Sequence, residues 1–315
     1  VKDWHSKQKP KDIYYKDKLN NKFYYKNKPI ESVACYVPGN LPSTLIMCAT
    51  PAILAGVKRI VLCTPSLNGN LNGAVYYAAK KLGVREYYSL GGASAIMALA
   101  MGTKKVKSVN KIVGPGSKWV ALAMRSVSLK GLCGTQAANF GPSEIMCIAD
   151  PSTSSEIVAS SMIAQSEHDV EAMAILLTKE KKMIKKVKSL ITEQLKDLPR
   201  KKIASKSLKK NWILIYVSRD KEIISIINYI APEHIEILTK NYKKFLNSKI
   251  FAGSICLGPY SSMALSDYGP TQHSLPTAGS AKFSSGLGVK DFLIQTSYNE
   301  LSKKGVAKLG RSGYL

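Results

Sequence analysis

Three of the chain's four histidines stand in short polar blocks that pair an imidazole with a carboxylate: Gln165-Ser166-Glu167-His168-Asp169, Ala231-Pro232-Glu233-His234, and Asp267-Tyr268-Gly269-Pro270-Thr271-Gln272-His273. Such blocks combine hard oxygen and borderline nitrogen ligands with a base that titrates near neutrality, the requirements for metal binding and proton transfer. Gln165, His168 and Asp267 form a mixed set suited to Zn²⁺ or Mn²⁺, with positions left open for a substrate. Gln165 and His168 are one turn apart near the expected end of a helix, so both can aim at one ion. Glu233 and His234 follow Pro232 at the expected start of a strand. Successive extended residues point in opposite directions, which lets the carboxylate and the imidazole serve different ends of one reaction. A capping Glu beside a surface His accounts for the same pair. An enzyme is the first hypothesis.

The elements that position these blocks follow from hydrophobic periodicity. From about residue 58, short β-rich runs alternate with helical patterns: 59–64 then 72–82, 86–90 then 93–101, 111–113 then 118–127. The rhythm restarts with a strand at 144–149 and continues with a helix at 154–167, a strand at 172–178 and a Lys-rich helix at 179–197. A strand at 212–217, a helix at 220–229 and a strand at 235–238 complete it. Two parallel-sheet α/β units are expected, with a seam near Gly141-Pro142-Ser143. Thr153 followed three residues later by Glu156 predicts a capping box at the start of the helix that carries Gln165. Gly91-Gly92 and Gly114-Pro115-Gly116-Ser117 are strand-to-helix turns able to present N–H groups to phosphate, though neither completes a dinucleotide or P-loop motif and tight-turn glycine explains both. Residues 1–35 lack periodicity and read as a wrapping lead segment, and residues 251–295 as site-lining loops.

Composition narrows the function classes. At 315 residues and 45% apolar content the chain is globular. Its 46 basic and 21 acidic residues give a net charge of +25. The excess is nearly all dispersed Lys, with Arg only at positions 59, 85, 125, 200, 219 and 311, whereas base reading and bidentate phosphate contacts favour Arg. Nucleic acid is therefore not the expected partner. Six scattered cysteines form no CxxC pair, which suggests buried thiols in a reducing compartment. No apolar run approaches the ~20 residues needed to span a bilayer, and the start lacks the apolar stretch of a secretory signal. A cytoplasmic protein that does not engage membranes is expected.

Several blocks taken in order point to a known family: Tyr36-Val37-Pro38-Gly39, Ile112-Val113-Gly114-Pro115-Gly116, Gly141-Pro142-Ser143-Glu144, the blocks around His168 and His234, Leu257-Gly258-Pro259-Tyr260, Asp267-Tyr268, and His273 through Thr277. Their order and spacing resemble histidinol dehydrogenase across nearly the whole chain. The resemblance implies two incomplete Rossmann-like α/β units of the aldehyde-dehydrogenase-like kind: a lead segment over 1–35, an NAD-side domain over 36–143, a metal and substrate domain over 144–290, and the start of a tail over 291–315. It implies NAD-dependent oxidation of L-histidinol to L-histidine through an aldehyde, a zinc ion that holds the substrate, and a homodimer.

Carried over residue by residue, the resemblance makes Gln165, His168 and Asp267 zinc ligands that also face the substrate. His234 would take the alcohol proton, Glu233 would activate water on the aldehyde, and Ser143 and His273 would contact the substrate. Of the side chains expected at NAD, Tyr36 matches, while the family's Gln and Asn are Ser94 and Ser117 here. The sequence has no counterpart of the family's N-terminal helical region, nor of the C-terminal segment whose Glu and His reach the partner subunit's site. Two readings follow: an enzyme of this family, or a fragmentary or catalytically silent homologue with a weakened NAD site and an incomplete zinc site.

Overall fold

The computed structural model describes residues 1–66, 70–136 and 141–313, with the backbone alone at Ser266 and Asp267. The chain divides into two compact units, the first built from residues up to Gln136 and again from Gly288, the second ending at Leu287. In chain order the first unit runs α1 (Lys2–Ser6), β1 (Ile13–Lys16), β2 (Lys22–Pro29), β3 (Ser32–Tyr36), α2 (Pro42–Ala55), β4 (Arg59–Cys63), α3 (Gly73–Leu82), β5 (Glu86–Tyr88), α4 (Gly92–Met101), β6 (Lys111–Val113), α5 (Lys118–Leu129) and β7 (Gly134–Thr135). The second runs β8 (Glu144–Ala149), α6 (Ser155–Ser166), β9 (Met173–Thr178), α7 (Lys181–Gln194), α8 (Lys201–Asn211), β10 (Trp212–Tyr216), α9 (Asp220–Ile230), β11 (His234–Ile237) and β12 (Ser254–Leu257). The chain then returns to the first unit as β13 (Leu293–Glu300) and α10 (Lys303–Ser312).

Each unit is organised by a parallel five-stranded sheet, ordered β5-β4-β3-β6-β7 in the first and β10-β9-β8-β11-β12 in the second. With strands counted within each sheet, both have the order 3-2-1-4-5, a Rossmann arrangement short of its last strand. The first strand of each parallel sheet, β3 or β8, lies at its centre, and both are covered on two faces, which is why they read as continuous apolar runs. All six residues of β8 are buried. Ile145, Cys147 and Ala149 pack toward Val158 and Met162 of α6 and Val187 of α7, while Met146 and Ile148 face Ile223 and Ile227 of α9. Each large side chain so buried contributes roughly 1.5–3 kcal/mol. The order reverses beside the central strand of each sheet, between β3 and β6 and between β8 and β11, and such reversals open crevices.

Three local expectations differ from the structure. The helix bearing Gln165 is capped by Ser154, whose hydroxyl accepts from Ile157 N, so Thr153 and Glu156 form no capping box. Thr153 instead donates to Leu238 O at 3.1 Å, pinning the loop to the residue that follows β11. The lead segment contains β1 and β2, an antiparallel pair completed by β13, and the first residues of β3. Its Lys- and Tyr-rich strands show no apolar alternation because little of this sheet is buried. Cross-strand rings support it, with Tyr14 and Tyr24 centroids 5.2 Å apart. A further helix, α8, fills the stretch before β10; it buries only Ala204, Ser207 and Leu208, too thin a stripe to be visible in periodicity.

No cysteine is disulfide-bonded; five are buried and Cys256 is half-buried. Burial pushes the Cys48 and Cys63 thiols up to about 12, which leaves them unreactive. Among the described residues no helix is long and apolar enough to cross a membrane.

Candidate active site

Helix α9 ends at Ala231, which takes the left-handed conformation at φ 50°, and Pro232 prevents the helix from continuing. Glu233 lies in the turn that follows, and His234 opens β11 beside Ile145 of β8. Because Glu233 precedes the strand, strand alternation does not separate the pair. Their polar ends converge instead, with Glu233 Oε1 3.8 Å from His234 Nε2. Both side chains are buried, Glu233 at 7% exposure and His234 at 8%. The Ser143 hydroxyl donates to the Glu233 carboxylate. Glu144 N donates to Glu233 Oε2 at 3.3 Å, and Glu233 N returns the bond to Glu144 Oε2 at the same distance. Burial pushes Glu233 up to about 7, outweighing these donors, and the neighbouring Glu144 carboxylate adds to the rise. Burial raises Glu144 as well. A buried carboxyl raised to near neutrality is suited to act as a general base.

Gln165 sits in the last turn of α6, only 1% exposed, and neither atom of its amide has a hydrogen-bond partner among the described residues. A doubly unsatisfied buried amide is costly in a finished interior and signals a missing ligand. His168 lies just beyond the helix, exposed, with Nδ1 3.0 Å from Ala164 O. With its proton on Nδ1, that contact leaves Nε2 as the ring's lone-pair donor. The last carbonyls of α6 add partial negative charge, which favours a cation. The side chain of Asp267 lies outside the described residues; its backbone ends a 3₁₀ turn, Met263–Asp267. Among the described residues no cluster of three or more His, Cys, Asp or Glu side chains gathers around one point.

His273 is half-buried, in a loop whose later residues are fastened to the segment before β8: Thr277 Oγ1 accepts from Gly141 N at 2.7 Å, and Ala278 N donates to Glu144. Gly253 closes the same edge. A Cβ there would lie 2.7 Å from Glu233 O. Ser143, Glu233, His234 and Gly253 thus gather at the amino ends of the second sheet, and Met173 N bonds Ser143 O at 3.0 Å to bring the segment after α6 to that edge.

In the first unit the expected residues lie at the opposite kind of edge. Tyr36 ends β3, and Ser94 and Ser117 sit at the amino ends of α4 and α5. The Tyr36 hydroxyl accepts from Gly92 N at 3.1 Å and so holds the turn ahead of α4. Ser94 Oγ donates to Gly91 O at 3.3 Å, and it lines a cleft with Tyr87, Leu90, Ala95, Ala98 and Val106. Ser117 caps α5 with an exposed side chain that makes no capping bond. The cleft lies at the β5 edge of the sheet, and the helix amino ends beside it are complementary to a nucleotide's phosphates.

Sequence reasoning missed Glu144 and Glu236. Each is a carboxylate within an otherwise apolar strand of a doubly covered sheet, and that incongruity is the signal that could have found them.

The NAD-dependent aldehyde dehydrogenase from Sinorhizobium meliloti superposes with a TM-score of 0.61 at 11% identity, covering 95% of this chain and 72% of that one. A likeness at that identity concerns architecture alone, and it makes this an α/β protein of the aldehyde-dehydrogenase-like fold. Closer relatives are specific. The histidinol dehydrogenase family model matches residues 1–314. Histidinol dehydrogenase of Pelagibacter ubique (strain HTCC1062) is 51% identical over 313 residues, 98% of this chain and 73% of that protein. The crystal structure of histidinol dehydrogenase from Elizabethkingia anophelis superposes with a TM-score of 0.93 at 32% identity, covering 99% of this chain and 72% of that one. The chain belongs to the histidinol dehydrogenase family of oxidoreductases in histidine biosynthesis. The resemblance carried by the ordered motifs is thereby confirmed, and these relatives favour the enzyme over a silent homologue.

Proposed function

We propose that this chain oxidises L-histidinol to L-histidine in two NAD-dependent steps, with NAD on the first unit and substrate and metal on the second. The single observation that carries the chemistry is the buried Glu233 carboxylate, raised to about 7, with His234 Nε2 3.8 Å away. Hydride can leave the alcohol carbon only as its oxygen loses a proton, and His234 accepts that proton. A second hydride can leave the aldehyde carbon only after water has added, and Glu233 takes the proton from that water. Ser143 holds the carboxylate in place, and His273 contacts the substrate.

Gln165 and His168, with Asp267, would hold a zinc ion, and the unsatisfied Gln165 amide and the carbonyl end of α6 support that assignment. When bound, the ion would act chiefly as a template for the substrate's imidazole and amino nitrogens. Homodimerisation belongs to the same reading, as does a cytoplasmic setting whose reducing character the unbonded cysteines suit.

The test is NADH formation by the purified chain given L-histidinol, NAD⁺ and Zn²⁺, with Glu233→Gln as control. Steady production by the parent, with the control still forming NADH in the alcohol step but stopping at the aldehyde, supports the reading, and no production refutes it for this chain. NAD contacts are tested separately. Ser94→Gln and Ser117→Asn each add a side chain able to make a further hydrogen bond, of about 0.5–1.5 kcal/mol, so NAD should bind up to about tenfold more tightly in each. Titration calorimetry giving an unchanged Kd in both variants would remove these two positions from the cofactor site.

A further inference from the structure

Glu236 is the third residue of β11, fully buried, on the side of the sheet opposite Ile235 and Ile237. Its strand neighbours in register are Cys147 of β8 and Cys256 of β12, small side chains that leave room for a carboxylate. It has no cationic partner among the described ion pairs. Its two oxygens are committed elsewhere. Oε2 accepts from Ser161 Oγ at 2.6 Å, and Oε1 accepts from Met263 N at 2.7 Å. Ser161 lies on α6 one helical turn before Gln165, so the two share a face. Met263 is the first residue of the 3₁₀ turn that ends at Asp267.

The geometry points to Glu236 as the positioning residue of the metal site: one carboxylate that fixes α6 and the Met263–Asp267 turn against each other, each held four residues ahead of a residue that would bind the ion. This rests on the zinc reading given above and deepens it. A buried carboxylate with no cation beside it is an expensive way to join two segments, since an apolar residue would pack there at lower cost. The arrangement makes sense where the spacing of what lies beyond the bonds matters. Gln165 supplies the independent sign of a ligand, because its buried amide is left without a partner at the end of the helix that Glu236 holds. Groups that hydrogen-bond a ligand directly are commonly worth 10–100-fold in metal affinity, and Glu236, bonded to the segments that carry the ligands, sets their spacing one step further out.

The test uses the full chain in three forms: wild type, Glu236→Gln and Ser161→Ala. Gln keeps the size of Glu236 but presents an amide NH₂ to a donor, so one of the two bonds fails. Ser161→Ala removes only the arm to α6 and leaves the carboxylate and the Met263 bond in place. Zinc affinity is measured by chelator competition, the ligand field by the visible spectrum of the Co²⁺-loaded protein, and stability by melting of the metal-free protein. Glu236→Gln is expected to weaken zinc binding 10–100-fold and Ser161→Ala several-fold, both with an altered Co²⁺ spectrum. Zinc affinity within twofold of wild type and an unchanged spectrum, even with a lowered melting temperature, would reduce Glu236 to a structural residue and overturn the proposal. Should Glu236→Gln fail to fold, Ser161→Ala decides alone by the same readouts. Wild type that binds no zinc would defeat the metal reading itself, an outcome visible before either variant is made.

Discussion

Glu233→Gln oxidises L-histidinol only as far as the aldehyde. Supplied with the aldehyde directly, it turns over about 10²–10⁴-fold more slowly than the parent, the usual worth of a general base, while alcohol oxidation through His234 persists. In the parent, the aldehyde step should rise with pH through about 7, where Glu233 becomes a carboxylate. The same variant should be more stable. A carboxyl whose folded pKa lies above its ordinary 4.5 binds its proton more tightly when folded, so the fold loses stability as pH rises from the ordinary carboxyl range to about 7 and stays level above that. Removing the charge recovers roughly 3 kcal/mol at pH 8 and nothing near pH 4, which appears as a melting temperature several degrees higher at pH 8 only. Equal aldehyde turnover by the two proteins would refute the assigned role, and equal melting at both pH values would refute the buried carboxylate.

Gly114→Ala is expected to be the most damaging small substitution in the first unit. Gly114 has φ +112°, and a Cβ there would lie 2.1 Å from the carbonyl oxygen of Tyr36 and 3.1 Å from its carbon. Backbone stands against backbone, so no side chain can turn away. The expected loss is more than about 3 kcal/mol in urea unfolding, accompanied by loss of NAD binding, because the crevice between β3 and β6 must open. Gly92→Ala is the matched control. It shares the left-handed backbone at φ +73° but has nothing within 4 Å, so it should cost only about 1 kcal/mol. Similar losses in the two variants would mean that conformation, and not close approach, governs position 114.

The alternation of strand and helix over 59–129 and 144–238 was readable because the buried strands and helices obey different periods, and the resulting elements stand within a few residues of expectation. Strand pairs such as β2 with β13 were not. Lys22 and Glu300 meet across 278 residues, and their ion pair at 2.7 Å leaves no trace in either local pattern. The glycines after β6 were read as turn residues, yet two different contacts demand them: Gly114 meets the Tyr36 backbone, while a Cβ on Gly116 would lie 2.3 Å from Val120 Cγ1. Likewise the helix cap was displaced by one residue, since Thr153 was drawn away by the carbonyl of Leu238, just after β11.

Sequence by itself determined the α/β class, the family and the residue types available for acid–base and metal chemistry, because those depend on local period and on the order of motifs along the chain. Tertiary structure decided which ends of which strands those residues occupy. The Tyr36, Ser94 and Ser117 group stands at carboxyl ends of strands and amino ends of helices, and Ser143, Glu233 and His234 at amino ends of strands. It also decided that Glu233 and His234 converge, that Glu144 exchanges bonds with Glu233, and that Glu236 ties Ser161 to Met263. The physical reason is common to all of them. Burial and pairing between segments dozens of residues apart set these distances and the proton affinity of Glu233, and a local pattern encodes neither.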